Sequence, residues 1–213
     1  MAQIIRVKPG PVVAQDNSYP ELRGGRTGEM MAADTHGRYQ EAVYRGNVFS
    51  VPFAAAALAA ASATAAGAFL LNNPIGSGKN LVLLDCETVV TAFTVVATGT
   101  GIIMGALINP TFSALGTPVV PTCNLIGSPN ASVARGYPSG TYAVLPSVTP
   151  PGLRVLGGLY EDLAASSFVA YMKDEIAGVV IVAPGNAINI YGLGGTPADV
   201  TIAATITWEE IPL

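Results

Sequence analysis

The chain has 213 residues, of which 50% are hydrophobic and only 11% are charged, with a formal net charge of −4. An average soluble domain carries about 25% charged residues, so this surface is poor in solubilising charge. A small net negative charge also argues against nucleic-acid binding, which requires a basic surface. Two classes of protein fit this composition: one whose exterior is covered by partner subunits, and one that enters a membrane.

Charge changes abruptly along the chain, near residue 46. Residues 1–46 hold six basic and five acidic residues, whereas residues 47–213 hold four basic and nine acidic ones. The first segment has no sustained hydrophobic periodicity and contains several proline and glycine turn signals. We therefore predict an extended N-terminal arm over residues 1–46 and a folded body over residues 47–213.

An uncharged stretch at residues 51–71 is about long enough to cross a bilayer. It consists mostly of alanine, and Ser62, Thr64 and Gly67 interrupt it, so its hydropathy is far below that of a membrane span. We expect a strand or an extended loop at residues 54–66 and no membrane partner. The first residues lack the apolar core of a signal peptide, and together with unpaired cysteines this predicts synthesis in a cytoplasm.

Short β-compatible runs recur through the body, separated by turn signals, as in a sandwich or barrel. The clearest run, at residues 200–208, alternates apolar and polar side chains, and residues 178–183 read as a buried central strand. A type II turn at Pro184 and Gly185 then leads to a partner strand at residues 186–191. The other predicted strands lie at residues 67–72, 80–86, 88–97, 101–109, 118–126, 141–145, 153–160 and 167–172. An all-β fold of two packed antiparallel sheets is predicted.

Residues 75–80 superficially resemble a phosphate-binding loop. That loop requires a glycine four residues before its Gly-Lys pair and a Ser or Thr after the lysine, whereas this chain has Asn73 and Asn80 there. The better interpretation is a turn in which Gly76 and Gly78 adopt positive φ and Lys79 is solvated. No cofactor is predicted.

Catalytic and metal-binding groups are sparse. The single histidine, His36, lies in the arm, where no packed scaffold orients it. Asp85 and Glu87 share one face of a strand, but a solvated edge explains them better than calcium, which takes about six to eight oxygen ligands. Cys86 and Cys123 are expected to be buried free thiols. We predict no metal site and no enzymatic activity.

Four segments resemble small bacteriophage virion proteins: residues 36–42 (HGRYQEA), 45–49 (RGNVF), 71–84 (LNNPIGSGKNLVLL) and 203–212 (AATITWEEIP). The resemblance implies a jelly-roll-like sandwich on an N-terminal arm, located in the virion. It further implies a capsid decoration or cement protein that forms homotrimers and binds the major capsid protein.

The arm is the predicted contact with the capsid or with a neighbouring subunit. Its candidate interface residues are Ile4, Arg6, Arg23, Arg26, Arg38, Tyr39, Tyr44 and Arg45. The alternative is a tail or fibre component whose sandwich binds a host receptor or glycan. Exposed loop tyrosines would serve that role, with Tyr137, Tyr142 and Tyr191 as candidates.

Overall fold

A computed structural model of the chain describes residues 37–58, 60, 66–67, 69–93, 100–138, 140–143, 152–159, 171–194 and 200–213. The chain divides into a unit of residues 1–41 and a compact unit of residues 42–213. The predicted boundary at residue 46 stays a prediction. Of the predicted arm interface, Ile4, Arg6, Arg23 and Arg26 lie outside the described residues, as does His36.

A single short helix, α1 (Gln40–Tyr44), appears in the described residues, where the sequence suggested extended chain. Gln40 and Ala42 favour helix, and Gly46 ends it in the left-handed conformation with φ of 67°. The Gly46 N–H donates to the Val43 carbonyl, and the Asn47 N–H donates to the Ala42 carbonyl. This pair of bonds is the Schellman motif that satisfies the last carbonyls of a helix.

The first sheet consists of six strands around two long central ones. Its order is β11-β4-β14-β1-β7, with β12 also paired to β4. The strands are β1 (Val48–Ala57), β4 (Lys79–Phe93), β7 (Thr122–Cys123), β11 (Tyr171–Glu175), β12 (Ile181–Val182) and β14 (Val200–Pro212).

The second sheet has the order β10-β5-β13-β3-β8, and a smaller third sheet has the order β2-β9-β6. The second sheet contains β3 (Phe69–Asn72), β5 (Thr100–Leu107), β8 (Arg135–Tyr137), β10 (Gly152–Leu159) and β13 (Ala187–Leu193). The third contains β2 (Ala66–Gly67), β6 (Thr111–Leu115) and β9 (Gly140–Ala143).

The connectivity is that of a jelly roll, an antiparallel ribbon folded across two sheets. Strand β1 pairs with β14, β3 with β13, β4 with β11, and β5 with β10, so the ribbon folds from its ends toward its middle. The links β14–β4 and β13–β5 complete the two sheets. The predicted all-β, jelly-roll-like sandwich is confirmed, and the small third sheet is an addition to it.

The core lies between the two large sheets and follows the predicted alternation of β14. Val200, Ile202, Ala204, Ile206 and Trp208 are all buried. The Trp208 ring stacks on that of Phe49 with centroids 6.4 Å apart. Each large side chain buried in this way stabilises the fold by about 1.5–3 kcal/mol relative to exposure.

Strand β4 corrects two sequence predictions. Residues 80–86 and 88–97 were predicted as separate strands, but Lys79–Phe93 is continuous. A register shift where Thr207 and Trp208 of β14 pair with β4 lets Leu83 and Leu84 both point inward. Asp85 and Glu87 then fall on the outer face, so their charges do not end the strand.

The apolar run at residues 178–183 is not a buried central strand. Only Ile181 and Val182 form a strand, β12, which among the described strands pairs with β4 alone and lies at a sheet edge. The Pro184–Gly185 turn is present, with φ of 82° at Gly185 as a type II turn requires. Strand β13 beyond it, however, belongs to the second sheet, so the turn carries the chain between sheets instead of closing a hairpin.

Three other segments differ from prediction. At residues 118–126 the described strand is only β7, because Pro118 and Pro121 have no N–H for a ladder. Strand β11 (Tyr171–Glu175) includes the end of the predicted run at 167–172 and continues beyond it, and residues 167–170 lie outside the described residues. Strands β6 and β8 were not predicted.

None of the described helices has the length and hydropathy that crossing a bilayer demands, and residues 51–57 belong to β1.

Candidate interaction surfaces

The two edges of the sandwich carry the most distinctive surfaces of the described chain. Strands β10, β11 and β12 form one edge, where the two large sheets meet; we call it the groove flank. Strands β7 and β8 and the loop residues 116–133 form the opposite edge; we call it the proline flank, after Pro118 and Pro121. Each flank exposes aliphatic side chains around a concavity.

The groove flank contains an open groove of about 410 Å³. The lining comes from the end of β5, the start of β10, the β12 segment and the start of β13, and none of its residues is charged. Exposed aliphatic side chains at this flank are Ile108, Leu153, Val155, Val179 and Ile181. Val179 is 76% exposed, which is far more than a valine in a packed strand.

Charged side chains of β10, β11 and the adjacent strand β4 form a border of the groove flank, and none of them lines the groove itself. Arg154 of β10 makes a two-pronged ion pair with Asp174 of β11, at 2.5 and 2.7 Å, and so ties the edges of the two large sheets together. Lys173 donates to Glu87 at 2.6 Å. That hydrogen bond lowers the pKa of Glu87 and raises the pKa of Lys173.

The pKa of Asp85 shifts in the opposite direction to that of its neighbour Glu87. Partial burial raises its pKa, although a hydrogen bond with Thr207 and the charge of Lys173 oppose that rise. With Asp85, Glu87, Asp174 and Glu175 against Arg154 and Lys173, this border has a net charge of −2. Among the described residues, no cluster of three or more His, Cys, Asp or Glu side chains could hold a metal ion.

The proline flank contains a smaller concavity of about 250 Å³ and exposed aliphatic side chains. Its lining is Pro118, Val119, Val120, Pro121, Ala131, Ser132 and Arg135. Val120 is 79% exposed and Ile126 is 86% exposed. The Val119 N–H donates to the Gly136 carbonyl, which holds this segment against the outer edge of β8. Arg135 is the only charged residue between positions 111 and 138.

The predicted arm residues that are described fall into two groups. In the first unit, the Arg38 guanidinium lies 5.3 Å from the centre of the Tyr39 ring. In the compact unit, Tyr44 and Arg45 are exposed and directly precede Gly46. The Gly46 carbonyl accepts hydrogen bonds from the Asn130 amide and the Cys123 thiol, so Tyr44 and Arg45 adjoin the proline flank.

A buried carboxylate, absent from the sequence predictions, anchors the proline flank to the core sheet. Glu210 has no exposed surface, and its Oε1 accepts from the Ser132 hydroxyl at 2.6 Å and from the Val133 N–H at 2.9 Å. Its Oε2 pairs with Lys79 Nζ at 2.9 Å. Lys79 is therefore not the solvated turn residue that was predicted. The period of two along β14 places Glu210 on the inner face, and that register was the available signal.

Asn73 forms a second buried polar junction. Its side-chain amide donates to the carbonyls of Lys79 and Val182 at 2.9 and 2.8 Å, so it joins the β3–β4 turn to β12. Gly76 and Gly78 in that turn have the predicted positive φ. The asparagine that replaces the phosphate-loop glycine is thus a structural residue of the turn.

Two further groups of candidate side chains are accounted for by packing. Tyr191 is buried, and Tyr137 packs against a small cluster formed by Leu70, Leu107 and Ala187, so neither extends from a loop. The side chain of Tyr142 lies outside the described residues. Cys86 and Cys123 are buried free thiols, as predicted, and burial raises the pKa of Cys86 to about 12.

The arrangement offers two aliphatic flanks of unlike charge at opposite edges of the sandwich. Comparison of the chain with protein-family models, with curated proteins and with solved structures gave no match in any of the three.

Proposed function

We propose that the chain is a structural protein of a bacteriophage virion, a capsid decoration protein that forms homotrimers and binds the major capsid protein. It acts by contact and not by catalysis. The observation that carries the proposal is the pair of surfaces with exposed aliphatic side chains at opposite edges of a jelly roll. Monomeric soluble proteins rarely leave contiguous apolar patches exposed, so such surfaces favour burial against other subunits.

The distribution of charge supports a second contact, made by the N-terminal segment. Residues 1–46 carry eleven of the chain's twenty-four charged residues. Their arginines suit recognition of carboxylates on a capsid surface, because the guanidinium group binds them in a bidentate manner. The body supplies contacts between copies, and the arm supplies contacts with the capsid.

The test is binding to phage heads that lack the decoration protein. Full-length chain is expected to cosediment with such heads, and a chain without residues 1–40 is expected to remain folded but stay in the supernatant. Replacement of Arg23 and Arg26 by glutamate should weaken binding in the same direction, whereas Leu193→Asp, on a central strand, should not. Failure of the full-length chain to bind heads, or normal binding by the truncated chain, would contradict the proposal.

A further inference from the structure

We propose that copies of this chain associate head to tail, with the proline flank of one copy against the groove flank of the next. This inference rests on the proposed function and deepens it, because it names the two surfaces that bring the copies together. The partner is a second copy of the chain, and the contact is heterologous, meaning that two different surfaces meet.

The positions of the flanks permit such a chain of contacts. In the first sheet β11 and β12 lie at one edge and β7 at the other, and in the second sheet β10 and β8 lie at the corresponding edges. One copy therefore uses both flanks at once without obstructing either. A heterologous contact that repeats in this way closes into a ring when the rotation between copies allows. Three copies are the ring expected from the proposed function.

The two flanks differ in the size of their concavities. The groove flank offers a concavity of about 410 Å³ whose lining has no charged residue, and the concavity of the proline flank is about 250 Å³. The proline flank exposes the aliphatic side chains of Val120 and Ile126, which are 79% and 86% exposed. Insertion of these side chains into the groove would remove apolar surface from water on both copies, which is the main favourable term in protein association.

The two flanks also carry opposite charges. The border of the groove flank has a net charge of −2, and the proline flank carries Arg135, with Arg45 adjoining it. The Arg135 guanidinium already bonds the carbonyls of Ser132 and Ala134, which fixes its position at the surface. Contact between unlike flanks brings arginines toward carboxylates, whereas contact between like flanks brings equal charges together. This difference favours the head-to-tail contact over a symmetric one.

The test uses the full-length chain and two variants that each disable one flank. Val179→Asp with Ile181→Asp places carboxylates in the groove, and Val120→Asp with Ile126→Asp places them on the proline flank. All four side chains are largely exposed in the single copy, so the substitutions leave its core intact. Leu193→Asp, at an exposed leucine of the central strand β13, is the matched control.

Oligomeric state is measured by native mass spectrometry and sedimentation velocity. We expect the wild-type chain and the Leu193→Asp control to form the same ring, and each flank variant to be monomeric, with association weakened by about 100-fold or more. A mixture of the two flank variants should form a dimer and nothing larger, because one intact groove flank meets one intact proline flank. A symmetric contact between like flanks would pair two copies of the same variant, so a dimer that contains one copy of each variant, with one of them isotopically labelled, excludes it.

Three outcomes would overturn the inference: a monomeric wild-type chain, unchanged assembly of either flank variant, or no dimer in the mixture. A contact of the groove with an unrelated apolar peptide would leave the wild-type chain monomeric, so it is among these outcomes. Binding to phage heads separates this inference from the proposed function. Head-to-tail rings that do not bind heads would refute the decoration role and leave the inference standing. Head binding by a chain that never self-associates would refute the inference, together with the proposed trimer, and leave the binding to the capsid standing.

Discussion

Lys79 and Glu210 form an ion pair across the first sheet, with 2.9 Å between Nζ and Oε2, although Glu210 is fully buried and Lys79 is about one-third exposed. The pair joins the first residue of β4 to the last buried position of β14. Ser132 and Val133 complete the coordination of the carboxylate, so one side chain connects two central strands with the loop that precedes β8.

Lys79→Met is expected to lower the free energy of unfolding by about 1–3 kcal/mol, because it leaves a buried carboxylate with neutral donors only. Glu210→Gln should lower it as well, since the amide cannot replace the ion pair. The double variant should lose less unfolding free energy than the two single variants lose in sum. We expect a difference of about 0.5–3 kcal/mol, because the two residues are in direct contact. Urea unfolding of the four proteins gives the coupling energy.

Lys173→Met is the matched control for this cycle, because it breaks an ion pair with Glu87 in which both side chains are substantially exposed. Its effect should be smaller than that of Lys79→Met, since solvent screens exposed pairs. Equal losses for the two lysine variants would mean that burial of Glu210 contributes nothing to the strength of its pair.

Gly136 of β8 lies directly beneath β1, and a methyl group there would be 2.7 Å from Cγ2 of Val51. Gly136→Ala is expected to destabilise the fold by about 1–3 kcal/mol, the usual cost of overpacking a core. The destabilisation by Gly136→Ala should be smaller in a Val51→Ala background, because the shorter side chain leaves room for the new methyl group. Gly158→Ala is the control, because a methyl group there would have no heavy atom closer than 3.6 Å. Thermal unfolding of the variants measures these differences, and a neutral Gly136→Ala would contradict the packing.

The strands that sequence predicts best are those whose alternation survives over many residues. The alternation at residues 200–208 correctly predicts the inner face of β14, because one side of that strand is buried along its length. The same register extends to Glu210, but its partner Lys79 is 131 positions away, and only the pairing of β14 with β4 brings them together. Local pattern identifies a buried face and not the partner of a charged residue on it.

The errors at residues 178–183 and 118–126 both concern apolar segments at the edges of the sheets. Apolar composition predicted a buried central strand in the first segment and a strand in the second, yet Val179 and Val120 are among the most exposed hydrophobic side chains described. Position within a sheet decides burial, and that position follows from pairings between distant strands. Neither flank was predicted for this reason, since each is formed by edge strands that are far apart in sequence.

Asp85 provides a test of pH dependence. Partial burial raises its pKa above 3.8, so the folded state binds a proton more tightly than the unfolded state does. At neutral pH the desolvated charge lowers stability, and this penalty disappears as pH falls through the folded and then the unfolded pKa. Asp85→Asn should therefore stabilise the protein at neutral pH and have little effect in acid, as urea unfolding at both pH values will measure.

Glu87→Gln should show the reverse sign and serves as the comparison for Asp85→Asn. The hydrogen bond from Lys173 lowers the pKa of Glu87, so its contribution is present above the unfolded pKa and is lost as pH falls through the folded pKa. Glu87→Gln is expected to destabilise modestly at neutral pH and not in acid. The same sign for both variants at neutral pH would contradict these assignments.

The two thiols should differ in how they become reactive. Cys86 is buried in β4 between β14 and β11, and its pKa of about 12 leaves almost no thiolate at pH 8 in the folded state. Cys123 lies on the two-residue strand β7, which within the described part of the chain pairs with β1 alone. We expect iodoacetamide to modify Cys123 first, through local opening of the edge, and Cys86 only at the rate of global unfolding.

Peptide mass spectrometry over time distinguishes the two modification sites, and the Cys123→Ala variant allows the modification of Cys86 to be followed by itself. Rapid modification of Cys86 in that folded variant would show that β4 opens locally and that its central position does not protect it.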